Sequence, residues 1–73
     1  MNYRKIMLSK TVGFRGRNGY FKCIGFEITK YVGDSIIYLN PITSKNTIGN
    51  CQIEIPLDDI DLFIKNLKDL KNE

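Results

Sequence analysis

The chain contains no histidine, no tryptophan and no alanine, and it has only two cysteines and two prolines. Without histidine it lacks the commonest general acid–base and the commonest metal ligand. Cys23 and Cys51 lie far apart, outside any Cys-x-x-Cys spacing, and neither has an evident basic neighbour that would activate it as a nucleophile. No acidic loop has the spacing of a calcium site. The expectation is therefore a protein that is not an enzyme and uses no metal or cofactor. No apolar run approaches the ~18–20 residues of a membrane span. The opening MNYRKIMLSK has an apolar trio but not the hydrophobic core of an export signal. Both cysteines accordingly read as reduced thiols of a cytoplasmic protein. The missing alanine, with abundant Ile, Lys and Asn, fits an AT-rich coding sequence of bacterial or phage kind.

What is present is a 73-residue chain, 42% hydrophobic and 26% charged, which suits one small folded domain spanning residues 1–73. A chain of this size has a thin core, and association would supplement it. The net charge of +3 hides an asymmetry. Residues 1–30 hold Arg4, Lys5, Lys10, Arg15, Arg17, Lys22 and Lys30 against Glu27 alone, whereas residues 31–73 hold four lysines against seven acids. The first part is the anion-seeking part.

The last third reads as a helix over about 58–71. Ile60, Phe63, Ile64, Leu67 and Leu70 recur with helical spacing and define one apolar face. Asp58 fits an N-cap, with Leu57 and Leu62 at the positions of a hydrophobic staple. Asp59 and Asp61 at the start, and Lys68 and Lys71 at the end, complement the helix dipole. Cys51–Ile55 alternates as a strand with Ile53 and Ile55 inward. Upstream, 20–32 and 35–39 are β-branched and aromatic runs around Gly33-Asp34, which reads as a two-residue hairpin turn. That turn opposes Phe26 to Pro41, Glu27 to Asn40, Ile28 to Leu39 and Thr29 to Tyr38. A weaker first strand falls near 4–10, with loops at Thr11–Gly19 and Pro41–Asn50. The fold class is α+β: a four-stranded antiparallel sheet followed by one C-terminal amphipathic helix. The helix is expected to cover the sheet face bearing Ile24, Phe26, Ile28, Ile37 and Leu39, with Phe63 central to the core.

Two features bear on function. Gly13-Phe14-Arg15-Gly16-Arg17-Asn18-Gly19 combines backbone freedom with two guanidinium forks suited to phosphate, flanked by Tyr20 and Phe21. It lacks the Lys-Ser/Thr pair of a phosphate loop, and a plain hairpin loop would use Asn18-Gly19 for positive-φ positions. The second feature is the sheet face away from the helix, expected to carry Phe21, Cys23, Glu27, Thr29, Tyr31, Ile36 and Tyr38. Such a face is a stacking platform for single-stranded nucleic acid, or else a surface hidden in a homodimer.

The order of elements and the ending Ile53-x-Ile55-Pro56-Leu57-Asp58-Asp59-Ile60-Asp61-x-Phe63-Ile64-Lys65-x-Leu67 resemble the single-stranded-DNA-binding fold of the positive cofactor four, Whirly and Pur proteins. The resemblance implies a curved four-stranded sheet, a capped helix, usually a dimer, and single strands bound by the sheet and its basic loops. The leading expectation is a dimeric single-stranded nucleic-acid-binding module. Lys10, Arg15, Arg17 and Lys22 would meet phosphates, and Phe14, Tyr20, Tyr31 and Tyr38 would stack on bases or shape the groove. The rival is a protein-interaction module, such as a small phage-type inhibitor that masks a host protein surface.

Overall fold

The computed structural model describes residues 2–16, 19–49 and 51–73, with Phe14 and Gly16 described in their backbone. Strands β1 (Asn2–Gly16), β2 (Gly19–Lys30), β3 (Ile36–Thr43) and β4 (Ile53–Pro56) form one antiparallel sheet in sequence order. One turn of 3-10 helix, Leu57–Asp59, leads directly into helix α1 (Ile60–Lys71). The β-β-β-β-α order and the α+β class are those implied by the sequence pattern.

The β2–β3 pairing has the expected register, Phe26 to Pro41 through Thr29 to Tyr38. The turn that sets it differs. Asp34 N–H donates to Tyr31 O at 3.0 Å, and Gly33 has φ +80°, so Val32-Gly33 are the central residues of the bend. Glycine at the third turn position with positive φ is the type II solution. It sits within a five-residue connection that leaves the register unchanged.

Strand β1 is far longer than 4–10. It pairs with β2 from Asn2–Lys30 to Met7–Gly25 and again from Val12–Cys23 to Gly16–Gly19. Between these stretches, residues 8–11 of β1 lie against Ile24 alone. Most of the expected loop 11–19 is therefore paired strand, and β3 reaches no further along β2 than Cys23. Residues 12–16 and 19–22 project beyond β3 as a two-stranded ribbon.

A bulge in β2 decides which way that ribbon faces. Directly opposed residues share a sheet face, and neighbours on one strand alternate. Gly25 opposes Ile42 while Cys23 opposes Thr43, so Cys23 and Gly25, two apart on β2, face opposite sides. The extra residue is Ile24. One face then carries Tyr3, Lys5, Glu27, Thr29, Tyr38 and Glu54, continued on the ribbon by Arg15, Tyr20 and Lys22. Arg4, Ile6, Ile28, Ile37, Leu39, Ile53 and Ile55 lie on the other, continued by Val12, Phe21 and Cys23. The expected membership of Phe21 and Cys23 on the tyrosine face is overturned, because simple alternation does not anticipate a bulge.

The small core sits at the ribbon end of the sheet, with Cys23 and Pro41 on the apolar side and Ile42, opposite Gly25, on the tyrosine side. Cys23, Pro41 and Ile42 are the most deeply buried side chains, and Ile55 is buried near the helix junction. Residues 44–49 fold back over this core. Gly49 N–H donates to Pro41 O at 2.8 Å, Ser44 N–H donates to Lys22 O at 2.9 Å, and Ile42 and Ile48 form a bridge. A Cβ at Gly49 would lie 2.9 Å from Phe21 Cζ and 3.0 Å from Pro41 Cγ, so glycine is what lets the loop close.

The helix does not cover the sheet. None of its residues is buried, and Phe63, expected at the centre of the core, is 50% exposed. Ile64, Leu67 and Leu70 are exposed beside it. The cause is the exit from β4. Leu57 N–H donates to Ser35 O at 2.9 Å, and the 3-10 turn passes straight into α1 without a loop long enough to reverse the chain. The capping expectation also fails. The helix N-cap is Asp59, its side chain makes no capping bond, and Leu57 and Leu62 are both exposed. The radius of gyration, 13.2 Å, exceeds the about 11 Å of a compact chain this long.

Gly25 is the tightest backbone approach. A Cβ there would collide with the Ile6 carbonyl oxygen and lie 3.0 Å from Met7 Sδ. Gly25→Ala is expected to lower stability by about 1–3 kcal/mol, the usual cost of overpacking, read as a lower urea midpoint. An unchanged midpoint would contradict the β1–β2 register at Met7.

Candidate functional site

The projecting ribbon brings together part of the sequence-predicted set. Arg15 opposes Tyr20 and Gly13 opposes Lys22, so Arg15, Tyr20 and Lys22 share one face. The Arg15 guanidinium carbon stands 5.6 Å from the Tyr20 ring centroid, within cation–π range. Gly13 lies beside that ring; a Cβ there would make ordinary contact with it, 3.8 Å from Tyr20 Cε1. Tyr20 is 75% exposed, an aromatic held over a strand rather than buried in one. Lys10 lies in the irregular stretch of β1 and is exposed, as are Arg15 and Lys22. Phe14 pairs with Phe21 in the backbone, and Arg17 lies outside the described residues.

Tyr31 and Tyr38 form a separate cluster at the opposite end of the same face. Their rings meet edge to face, with centroids 5.8 Å apart and an interplanar angle of 69°. From the level of Tyr20 to the level of Tyr38 is nine residues of β2, roughly 30 Å at strand rise. The two ends differ in charge. The tyrosine end carries Asp34, Glu27 and Glu54, with Glu27 directly opposite Lys5 and Glu54 opposite Tyr38. The ribbon end carries Lys10, Arg15 and Lys22 and no acid. Among the described residues the one ion pair is Lys65–Asp69, at 2.8 Å on the helix, so none of the ribbon cations is neutralised by a described carboxylate.

Hydrogen bonds orient two of the tyrosines. Tyr38 Oη donates to Asp34 Oδ2 at 2.9 Å, and Tyr3 Oη donates to Glu27 Oε2 at 3.2 Å. The bond to Asp34, then desolvation and nearby carboxylates, raises the Tyr38 pKa above the ordinary value. For Tyr3 desolvation comes first, followed by the bond and charge of Glu27. In both cases the neutral phenol is the favoured form, because ionisation would discard the donated bond and set two anions side by side.

Two members of this face escaped the sequence reading, Tyr3 and Lys5. The available signal was the alternation Tyr3-x-Lys5-x-Met7 in the first strand. It becomes informative only once that strand is registered against Glu27 and Thr29.

Because the two folded-state pKa values are raised, the stabilisation these hydroxyls give is fully present below about pH 10, the unfolded value, and is lost as pH rises through the folded values. The unfolding midpoint should therefore fall above about pH 10, and less steeply in the Tyr3→Phe/Tyr38→Phe protein. Asp34→Asn should bring the Tyr38 ionisation back toward its ordinary value in an ultraviolet titration. An unmoved ionisation would contradict the Tyr38–Asp34 bond.

No protein-family model, curated protein or solved structure matches the chain.

Proposed function

We propose that the protein binds single-stranded nucleic acid along the sheet face that runs from the basic ribbon to the tyrosine pair, and that it acts by binding rather than by catalysis. The observation that carries this reading is the β2 bulge at Ile24. It turns Arg15, Tyr20 and Lys22 onto the face that already holds Tyr3, Lys5 and Tyr38. Unneutralised cations beside an exposed ring are the two parts of a sequence-tolerant single-strand site. Cations track the backbone, and the ring stacks on a base. The charge gradient gives the parts different work: phosphates favour the ribbon, while the acid-flanked Tyr31–Tyr38 pair suits a base or sugar. The resemblance to positive cofactor four, Whirly and Pur proteins points the same way. The free thiols of Cys23 and Cys51 suit a reducing compartment such as the cytoplasm.

Fluorescence anisotropy with labelled single-stranded and duplex oligonucleotides tests the proposal. Affinity for the single strand should exceed that for the duplex and fall steeply with salt. Arg15→Ala/Lys22→Ala should flatten the salt slope by up to ~1.4 units, at ~0.7 per lost phosphate contact, to a similar extent for different base sequences. Tyr20→Ala should cost roughly 1–3 kcal/mol with little change of slope, as expected of a stacking ring. Absence of binding to any oligonucleotide at low salt by folded protein would refute the proposal. It would favour instead a protein ligand, toward which the arginine and lysine would act on association rate.

A further inference from the structure

We infer that this chain is one half of a homodimer, joined through the apolar stripe of α1 and the apolar sheet face, and not through the tyrosine face. The area of the chain is the first reason. Its accessible surface is 5852 Å² for a mass of 8.4 kDa. A folded monomer of that mass exposes about 4,600 Å². The surplus of about 1,200 Å² per chain exceeds the ~800 Å² each partner gives to a standard interface and fits an obligate dimer.

Exposed apolar side chains line both the helix and the apolar sheet face. Phe63, Ile64, Leu67 and Leu70 are between 44% and 65% exposed along one stripe of α1. On the sheet, Ile53 is 41% and Ile6 51% exposed on the side where Ile28 and Leu39 are only half-buried. An amphipathic helix and a one-sided apolar sheet each need a covering layer. Neither covers the other here, because the Leu57–Ser35 bond and the short 3-10 turn direct the helix away. A two-fold axis resolves both deficits in one step, since each copy brings the same stripe and the same face.

The charges along the helix favour a second copy over an unrelated protein. Asp58, Asp59 and Asp61 lie at its start and Lys68 and Lys71 at its end. Antiparallel pairing about a two-fold axis sets the acidic start of one helix beside the basic end of its partner, so the rim is self-complementary. The tyrosine face, with Arg15, Tyr20 and Lys22 of the ribbon, lies on the opposite side of the sheet and stays open.

The inference does not rest on nucleic-acid binding and is tested without nucleic acid. Light scattering should give twice the chain mass. The unfolding temperature should rise with concentration across about 1–100 µM, as mass action requires of a dimer. Leu67→Glu, at a position 64% exposed in the single chain, should reduce the mass to that of one chain. Tyr20→Ala should leave it doubled. A single-chain mass for the unsubstituted protein, or an unfolding temperature independent of concentration, overturns the inference. So does a doubled mass for Leu67→Glu. Should Leu67→Glu fail to fold, the concentration series on the unsubstituted protein still decides.

Discussion

Backbone pairing along β2 is the constraint on which the other elements depend. β1 lies on one side of this strand and β3 on the other, and β4 takes its place from β3. The irregularities in that pairing bend and turn the sheet. Opposite residues 8–11, β2 offers one residue, and at Ile24 it inserts an extra residue against β3. A perfectly regular ladder would have placed Lys22 and Tyr20 beside Ile28 and Phe26, and the cations would have flanked the apolar surface. The bulge instead sets the ribbon's Arg15, Tyr20 and Lys22 on the side of Tyr3, Lys5 and Tyr38, and its Val12 and Phe21 on the side of Ile28 and Leu39.

That separation explains how so small a chain can be ordered while leaving so much apolar carbon uncovered. Among the described residues its own core amounts to Cys23, Pro41 and Ile42, with the loop that closes over them, and Ile55 near the helix junction. Hydrogen-bonded strands hold their geometry, and the loop at 43–47 is tied internally. Thr43 N–H donates to Thr47 O at 2.7 Å, Asn46 N–H donates to Thr43 O at 2.8 Å, and Asn46 takes a left-handed φ of +65°. Asparagine is one of the few residues that tolerate that conformation. The chain thus invests its local order in backbone bonds and turns more than in hydrophobic burial.

Much of this was legible in the residues. Two β-branched runs around Gly33-Asp34 set the β2–β3 register, and the recurrence from Ile60 to Leu70 marked the helix and its apolar face. The alternation of Ile53 and Ile55 placed both on the apolar side, but only Ile55 is buried there and Ile53 is exposed. The missing parts were those that periodicity cannot encode. Nothing local in Lys22–Gly25 announces that one residue will be left unpaired, so Phe21 and Cys23 were assigned to the wrong side. The Gly-Arg segment looked like a loop because glycine and asparagine are turn formers, yet Gly13 and Gly16 serve within a strand pair. The amphipathic helix specified an apolar stripe but not that the sheet of its own chain would leave that stripe exposed. For the site, the cations and tyrosines were legible as residue types. Their division into a basic ribbon and an acid-flanked tyrosine pair was not, because it depends on register.

The bulge at Ile24 makes the composition of each face a matter of residue counting. Deleting that one residue, or inserting one more beside it, would rotate the ribbon by half a turn and exchange its two sides while altering none of the amino acids it carries. Ordinary substitutions at Arg15 or Lys22 change one contact at a time; a single-codon length change here would move every contact together. In a chain of this fold, the spacing between Lys22 and Phe26 therefore says more about which side carries the cations than the identity of any residue in between.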